Sequence, residues 1–549
     1  MVGDILSIGL RDGLIWFPLV LGVGLLYSKF KEIDLSVDGV TVISGIVSGL
    51  VWNATRSYTL SIIAAIGTGV ALSGLVSLLA WKTRIGFLMS GIVFSLGAHA
   101  VSVLWIGESM GLDQSLLMPG FQTIPLWLPL LAVLLGIAFE AFLRTNLGID
   151  LRRVGGGIEL NSRRSPFRLR ALACMVAGGG YGLASALLVH SEGVARCGTG
   201  FDYLLVGVCS YLCAARLIEL FSRATSKSVG PEQAERVSVV HGWKRVFIES
   251  WGWTSLRAVI GAVLFQCVIF VVMVESPNPS AWKLIMAAML LLVLARWPAR
   301  TGRSMLNSDP TKKDPTRNGA CSIKDIHYAY DTGSEVRSVF TGASAEFPVG
   351  LTIVRGDNGI GKSTLIKILS GQLSPQPGGA IHPARPSAYF TVPQRIAESL
   401  SPDLTVYENL SAAIPMTQKP PVFPGIPFVA RNLRRSLEEA ELLQPLQSTL
   451  LDAPFFFSED DPIWLKPCRD LSGGQALMVA LLCSVLARKQ VILMDEPSTG
   501  LDPINFERLT ILLRGLARSR AVIVTSHDDR LTALSPAIAV LAEGKIIIA

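Results

Sequence analysis

Gly356-Asp-Asn-Gly-Ile-Gly361-Lys362-Ser363 is the stretch that decides the fold of the C-terminal half. It fits the pattern G-x-x-x-x-G-K-[ST]. It follows the apolar run Leu351–Val354, a predicted strand, and opens a predicted helix over Ser363–Ser370. A loop in that setting is built for phosphate. Its glycines let backbone N–H groups wrap the anion, and the helix N-terminus adds a favourable dipole. Lys362 can reach the β- and γ-phosphates of a nucleoside triphosphate, and the Ser363 hydroxyl can ligate magnesium. Gly356, Asn358, Gly359, Gly361 and Thr364 complete the expected nucleotide contacts.

Downstream, Val491-Ile-Leu-Met494 has the pattern of a short buried strand and ends in Asp495 and Glu496. An aspartate there can hold the magnesium shell, and the adjacent carboxylate can orient or deprotonate an attacking water. Two solvated acids at an ordinary strand end is the alternative, and the upstream phosphate loop argues against it.

Between these motifs stands Leu471-Ser472-Gly473-Gly474-Gln475. This resembles the signature of ABC ATPases, and the resemblance runs from about Cys321 to the C-terminus. Gln394 in TVPQ resembles the Q-loop glutamine that senses magnesium and the membrane domain. Pro497-Ser-Thr-Gly-Leu-Asp502 resembles the D-loop, and His527 in TSHDD the switch histidine near the γ-phosphate. Tyr330 resembles the aromatic that stacks on adenine, although Tyr328 lies two residues away on the same strand face. The resemblance implies ATP and Mg2+ as cofactors, Glu496, His527, Gln394 and Lys362 in catalysis, and Ser363, Gln394 and Asp495 around the metal. It also implies a head-to-tail dimer in which Ser472 and Gly474 act on the partner's ATP. With one set of motifs and one membrane domain in the chain, a homodimer follows most simply. Two features depart from the family. Ala476 and Leu477 stand where basic residues are common, and the stretches Met416–Phe428 and Phe455–Phe457 lengthen the helical subdomain.

Ahead of this half the composition changes. Over the whole chain of 549 residues, 50% are hydrophobic and 17% charged, a balance that leans towards a membrane protein. The net charge of +7 is better read as topology signals in short loops than as a nucleic-acid surface. Apolar segments at Leu60–Trp81, Gly86–Ile106, Pro125–Leu143, Leu169–His190, Tyr203–Phe221 and Ala258–Val274 predict spanning helices. Gly13–Tyr27, Val37–Trp52 and Lys283–Trp297 are shorter or more mixed: tilted, broken or shielded by neighbours. The expected architecture is an α-helical polytopic membrane domain of about nine helices over 1–301, a linker over 302–319 and an α/β P-loop ABC ATPase over 320–549.

Seven arginines between Arg144 and Arg170, and the basic segment Arg223–Arg257, mark cytoplasmic loops, whereas Gly107–Thr123 has no Lys or Arg. The ATPase is then cytoplasmic, at an inner (plasma) membrane, and the N-terminus lies outside. No cleavable signal peptide is expected. Of the eight cysteines only Cys197 falls outside, without a disulfide partner there. The runs Gly67–Gly69 and Gly178–Gly182 suit either close helix packing or a broken helix along a pathway. Asp38 is a costly carboxylate beside a possible half-helix, and the sequence names no partner for it.

The membrane half resembles permeases of the branched-chain amino acid transport superfamily, especially the tryptophan/tyrosine type. The pieces that carry the likeness are Ile33-Asp-Leu-Ser-Val-Asp-Gly39, Phe142-Leu-Arg-Thr-Asn-Leu-Gly148 with the arginines after it, the run near Gly178, and Lys283-Leu-Ile through Leu292. Where that family has Gly-Asp-Asn, this chain has Gly155-Gly156-Gly157. The resemblance implies an importer fed by an extracytoplasmic solute-binding protein, taking up an amino acid or similar small solute, with a cytoplasmic docking helix within Arg144–Arg170. An exporter of lipid, peptide or drug is one alternative, and a membrane-anchored ATPase driving a non-transport partner is another.

Overall fold

A computed structural model describes residues 2–30, 33–83, 86–112, 125, 127–155, 166–197, 202–226, 253–275, 321–331, 336–376, 378–383, 388–395, 399–419, 425–449, 462–535 and 537–548. These fall into two compact units, one within 1–300 and one within 301–549. The predicted helix Lys283–Trp297, the linker 302–319, the basic segment 227–252, Phe455–Phe457 and most of the loop after Leu112 lie outside the described residues.

The first unit is built from α1 (Val2–Leu25), α2 (Val37–Thr55), α3 (Tyr58–Thr83), α4 (Phe87–Ile106), β1 (Ser109–Gly111), α5 (Trp127–Arg144), α6 (Asn146–Gly155), α7 (Pro166–Glu192), β2 (Val194–Arg196), α8 (Asp202–Ser226) and α9 (Trp253–Glu275). Among the described residues seven of these, all but α6 and α8, are long and apolar enough to cross a membrane. In α8 the stretch Asp202–Ala214 is apolar but short.

The mixed composition of the first two helices has a physical cause. Within their apolar windows 72% of α1 and 67% of α2 are buried in protein, against 28% for α3, α4, α5 and α9. The outer helices turn residues such as Leu60, Ile63, Val93, Leu96, Leu130 and Ile137 outwards, which leaves an exposed apolar surface. The inner ones are free to carry hydroxyls.

Small residues set the helix contacts. On α3, Ser61, Ala65, Gly69, Ser73 and Ser77 recur every fourth position and are buried. They face the glycine run of α7: a Cβ at Gly69 would collide with the Gly178 carbonyl, and one at Gly182 with the Ala65 carbonyl. Gly180 faces α1 instead, where a Cβ would lie 2.5 Å from the Pro18 carbonyl oxygen. Gly69 and the Gly178–Gly182 run are therefore at helix contacts while Gly67 faces open space, and α7 runs unbroken from Pro166 to Glu192. β1 and β2 pair antiparallel, Ser109 opposite Arg196, which ties the segments after α4 and α7 at one end. Cys197 Sγ donates there to the Gly107 carbonyl at 3.0 Å.

α2 begins midway along its neighbours rather than at their ends. Gly39 N–H donates to Ser95 Oγ, in the middle of α4, and Tyr181 OH, in the middle of α7, donates to Asp34 Oδ2. The partner that Asp38 lacked on paper is the start of α8: Tyr203 N–H donates to Asp38 Oδ1 at 2.9 Å. The predicted helix within the arginine-rich segment is α6, whose Ile149, Leu151 and Val154 are buried.

The second unit opens with β3 (Cys321–Asp331), β4 (Val336–Phe347) and β5 (Gly350–Arg355), followed by α10 (Lys362–Leu369), β6 (Ala380–His382) and β7 (Tyr389–Val392). A helical subdomain follows: α11 (Val406–Ala413), α12 (Ile426–Glu439), α13 (Leu443–Thr449) and α14 (Gly473–Ala487). The chain closes with β8 (Val491–Asp495), α15 (Pro503–Ala517), β9 (Ala521–Thr525), β10 (Ala537–Ala542) and β11 (Lys545–Ile548). Six strands form one sheet in the order β11-β10-β5-β9-β8-β7, and β4-β3-β6 form a second, antiparallel sheet. β10, β5, β9, β8 and β7 run parallel. β8 and β9 are buried at every position, which is why they read as unbroken apolar runs. The absent basic residues after Gln475 have a cause as well: Leu477 is buried and Ala476 packs against the same core.

Candidate nucleotide site

In an open parallel sheet, ligands bind outside the carboxyl ends of the strands, and here those ends stand side by side. β5 leads into the phosphate loop, and its neighbour β9 ends at Thr525, just before His527. β8, next to β9, ends at Asp495, and β7, beside β8, runs out towards Gln394. Residues separated by more than a hundred positions thus meet at one edge because of strand order.

The loop conformation depends on glycine. Gly359 has φ +80° and Gly361 φ +119°, and a Cβ at Gly361 would lie 2.5 Å from Val339 Cγ1. Gly361 also caps α10, so the N–H groups of that helix's first turn open onto the loop. Lys362 Nζ arches over it, donating to the carbonyls of Gly356 and Asp357 at 2.8 and 3.0 Å. Ser363 is exposed beside it while Thr364 is buried. Asn358 lies in the exposed turn of the loop.

Tyr330 OH and Thr364 Oγ1 are 3.2 Å apart, so Tyr330 stands at the phosphate-loop helix with its ring partly exposed. Tyr328 packs against the core between the two sheets, and its ring meets Tyr330 edge-on at 5.1 Å. Of the two tyrosines, Tyr330 is the one the loop can use.

The acidic pair is held from β9. Thr525 Oγ1 donates to the buried Asp495 Oδ1 at 2.6 Å. Glu496 N–H donates to the Thr525 carbonyl at 3.0 Å and lies 3.1 Å from its hydroxyl. Glu496 itself has φ +48°, an uncommon backbone state for a residue with a side chain, of the kind that collects at functional sites. Its carboxylate comes within 3.6 Å of His527 Nε2 and accepts from Thr499 Oγ1 at 3.4 Å. Gln394 is exposed on the loop after β7.

The signature residues lie elsewhere. Ser472 caps α14, accepting from Gln475 N–H at 3.3 Å, and Gln475 Oε1 accepts from Ser472 N–H at 3.1 Å. This reciprocal capping box fixes Gly473 and Gly474 in the first turn of α14, a helix of the helical subdomain rather than of the sheet edge. Gly474 lies against the Asn505 side chain on α15. Asp502 caps α15, its Oδ1 accepting from Asn505 N–H at 2.8 Å and Oδ2 from Asn505 Nδ2 at 2.6 Å. Those bonds hold its carboxyl below the ordinary value.

Several supporting residues carry no motif of their own. Arg337 on β4 donates to the Gly359 carbonyl at 3.2 Å. Asp528 forms a two-pronged pair with Arg530, at 3.1 and 2.7 Å, and also interacts with the Ser498 side chain. The Arg530 guanidinium lies 3.9 Å over the Phe506 ring of α15. Asp528 and Arg530 so brace the segment after His527 against the D-loop. No cluster of three or more metal-ligating side chains occurs among the described residues. The exposed Ser363 hydroxyl and the buried Asp495 carboxylate are oxygen donors of the kind magnesium takes.

A glycine cradle with a lysine, opposite a strand-end acid pair, defines a P-loop nucleotide hydrolase. The protein-family model described as ABC transporter matches residues 347–499. Among curated proteins, the cobalt import ATP-binding protein CbiO of Salmonella typhimurium is 32% identical over 236 residues, covering 41% of this chain and 79% of that protein. The xylose/arabinose import ATP-binding protein XylG of Sulfolobus acidocaldarius is 31% identical over 240 residues, covering 41% and 85%. The solved dimer of MJ0796, a bacterial ABC transporter cassette, aligns with 20% identity and a TM-score of 0.33 over 41% of this chain and 96% of that one. The chain belongs to the ABC transporter family, as an ATP-binding and ATP-hydrolysing component.

Proposed function

We propose that the chain is a fused permease and ATPase that works as a homodimer and imports an amino acid or similar small solute, delivered by an extracytoplasmic binding protein. The observation that carries this reading is that one chain holds, among the described residues, seven apolar helices of membrane-crossing length and a nucleotide edge. The domains are 1–301, 302–319 and 320–549, with the ATPase on the cytoplasmic side of the inner membrane. Import is supported by the names of the cobalt and xylose/arabinose import ATPases and by the permease-like pieces of the N-terminal half.

In this mechanism Gly356, Asn358, Gly359 and Gly361 wrap the phosphates, Lys362 and Thr364 contact them, and Tyr330 stacks on adenine. Ser363, Asp495 and Gln394 would hold Mg2+, which when bound would offset charge on the phosphates. Glu496 takes the proton of the attacking water, and His527 holds the water and γ-phosphate in line. Ser472, Gly473, Gly474 and Gln475 of one subunit close over ATP on the other, and Asp502 orders the loop beside them. Dimer closure then changes which side of the membrane the permease faces.

Proteoliposomes holding the full-length protein and its binding protein test this. ATP inside the active orientation should drive solute accumulation, and Glu496→Gln should retain ATP binding while slowing turnover at least about 100-fold. ATP turnover without any solute movement would sink the transport reading.

A further inference from the structure

The start of α2 buries a charge that the fold does not need. Asp38 is 6% exposed, and its Oδ1 accepts the Tyr203 N–H at the first turn of α8. Its Oδ2 is buried with no hydrogen-bond partner. One turn along the same helix, Thr41 Oγ1 is likewise buried and unpartnered. Capping a helix takes one neutral oxygen, which Ser or Asn supplies equally well. A carboxylate midway along membrane-length helices is far more expensive, and such groups face an ion, a partner or a solute path. Among the described residues no Lys or Arg side chain is bonded to Asp38.

The surroundings carry further acids. Asp202, the residue before Tyr203, acts on Asp38 as a second negative charge and has an interaction of its own. Glu192 bears on Tyr203 as well, but it is matched by Arg196 at 3.7 Å. Asp12 of α1 is matched by Arg11 at 2.7 Å. The rings of Trp16 and of Tyr203, the residue whose backbone N–H is bonded to Asp38, lie 5.6 Å apart, inclined by 32°. Carboxylates next to paired aromatic rings favour a cation: the charge pairs with oxygen, and the ring faces attract it further.

We propose that Asp38, with Asp202 and the Trp16–Tyr203 ring pair, binds the ammonium group of the transported solute midway through the membrane unit. This rests on the transporter reading above and narrows the solute to one that carries a cationic nitrogen.

The test uses full-length protein in nanodiscs of uncharged lipid, with phenethylamine as probe. Phenethyl alcohol and 3-phenylpropionate serve as neutral and anionic controls, and thermal shift is the readout. Phenethylamine should raise the melting temperature, and the two controls should not. Asp38→Asn, which keeps an acceptor for Tyr203 N–H, should weaken the probe's apparent affinity roughly 10- to 100-fold. Trp16→Leu, with both carboxylates intact, should weaken it several-fold and decides the matter if Asp38→Asn does not assemble. The proposal is overturned if phenethylamine does not bind, if the alcohol binds equally well, or if every assembled variant binds as wild type does. ATP turnover of wild type in the same nanodiscs separates the two readings: turnover without amine binding sinks this site alone.

Discussion

Thr525 Oγ1 donates to Asp495 Oδ1 at 2.6 Å across adjoining strand ends, while the backbone carbonyl of Thr525 accepts the N–H of Glu496. One threonine on β9 thereby orients one acid of the pair through its side chain and the other through its backbone carbonyl, with its hydroxyl also accepting from Glu496 N–H at 3.1 Å. Replacing it with valine keeps the shape and the backbone bond but leaves a buried carboxylate oxygen without its donor, worth about 1.5–3 kcal/mol. Thr525→Val should cut ATP turnover about 10- to 100-fold while ATP affinity changes less than about threefold. Phosphate release and nucleotide titration on the full-length protein check this; turnover near wild type would remove Thr525 from the orienting role.

Asp528 predicts a pH effect of definite sign. Hydrogen bonds from Arg530 come first among the causes that hold its carboxyl below the ordinary value. A depressed folded pKa contributes stability above the unfolded value, near 3.9, and that stability is lost as pH falls through the folded one. The pair is partly exposed, so the contribution is at most about 1 kcal/mol. Asp528→Asn should therefore melt below wild type by a constant gap from pH 8 to about pH 5, and the gap should close below about pH 4. A gap that persists unchanged in acid would mean that the side chain matters for shape rather than charge.

What could be read before the structure was local in the chain. The phosphate loop, the strand ending in Asp495 and the motif Leu471–Gln475 are contiguous segments, so they stand out in the sequence, whereas the capping box between Ser472 and Gln475 came from the structure. Relations that need two distant segments were not legible. Asp38 and Tyr203 lie 165 positions apart, and no periodicity in α2 announces that α8 begins beside it. That Tyr330 stands at the phosphate-loop helix, 3.2 Å from Thr364 Oγ1, was not legible either, because Tyr328 shares its strand face. The bracing pair Asp528–Arg530 follows His527 directly, yet its value depends on Phe506 of α15, which only the fold brings near. Similarly, the weak apolar character of α1 and α2 was visible, but its cause, enclosure by the other helices, was not.

The glycine runs give a prediction for the membrane unit. Gly182 on α7 lies so close to α3 that any Cβ would strike the Ala65 carbonyl oxygen. Backbone cannot yield there without separating two helices whose contact is built from small residues along its whole length. Gly182→Val adds three carbons at that point, and overpacking of this kind costs about 1–3 kcal/mol. Gly67, on the same α3, has nothing within 4 Å of its would-be Cβ, so Gly67→Val meets no such wall. In detergent, Gly182→Val should lower the melting temperature of the full-length protein by several degrees, and Gly67→Val by much less. Equal melting temperatures for the two variants would show that the α3–α7 contact is looser than Gly69, Gly178 and Gly182 make it.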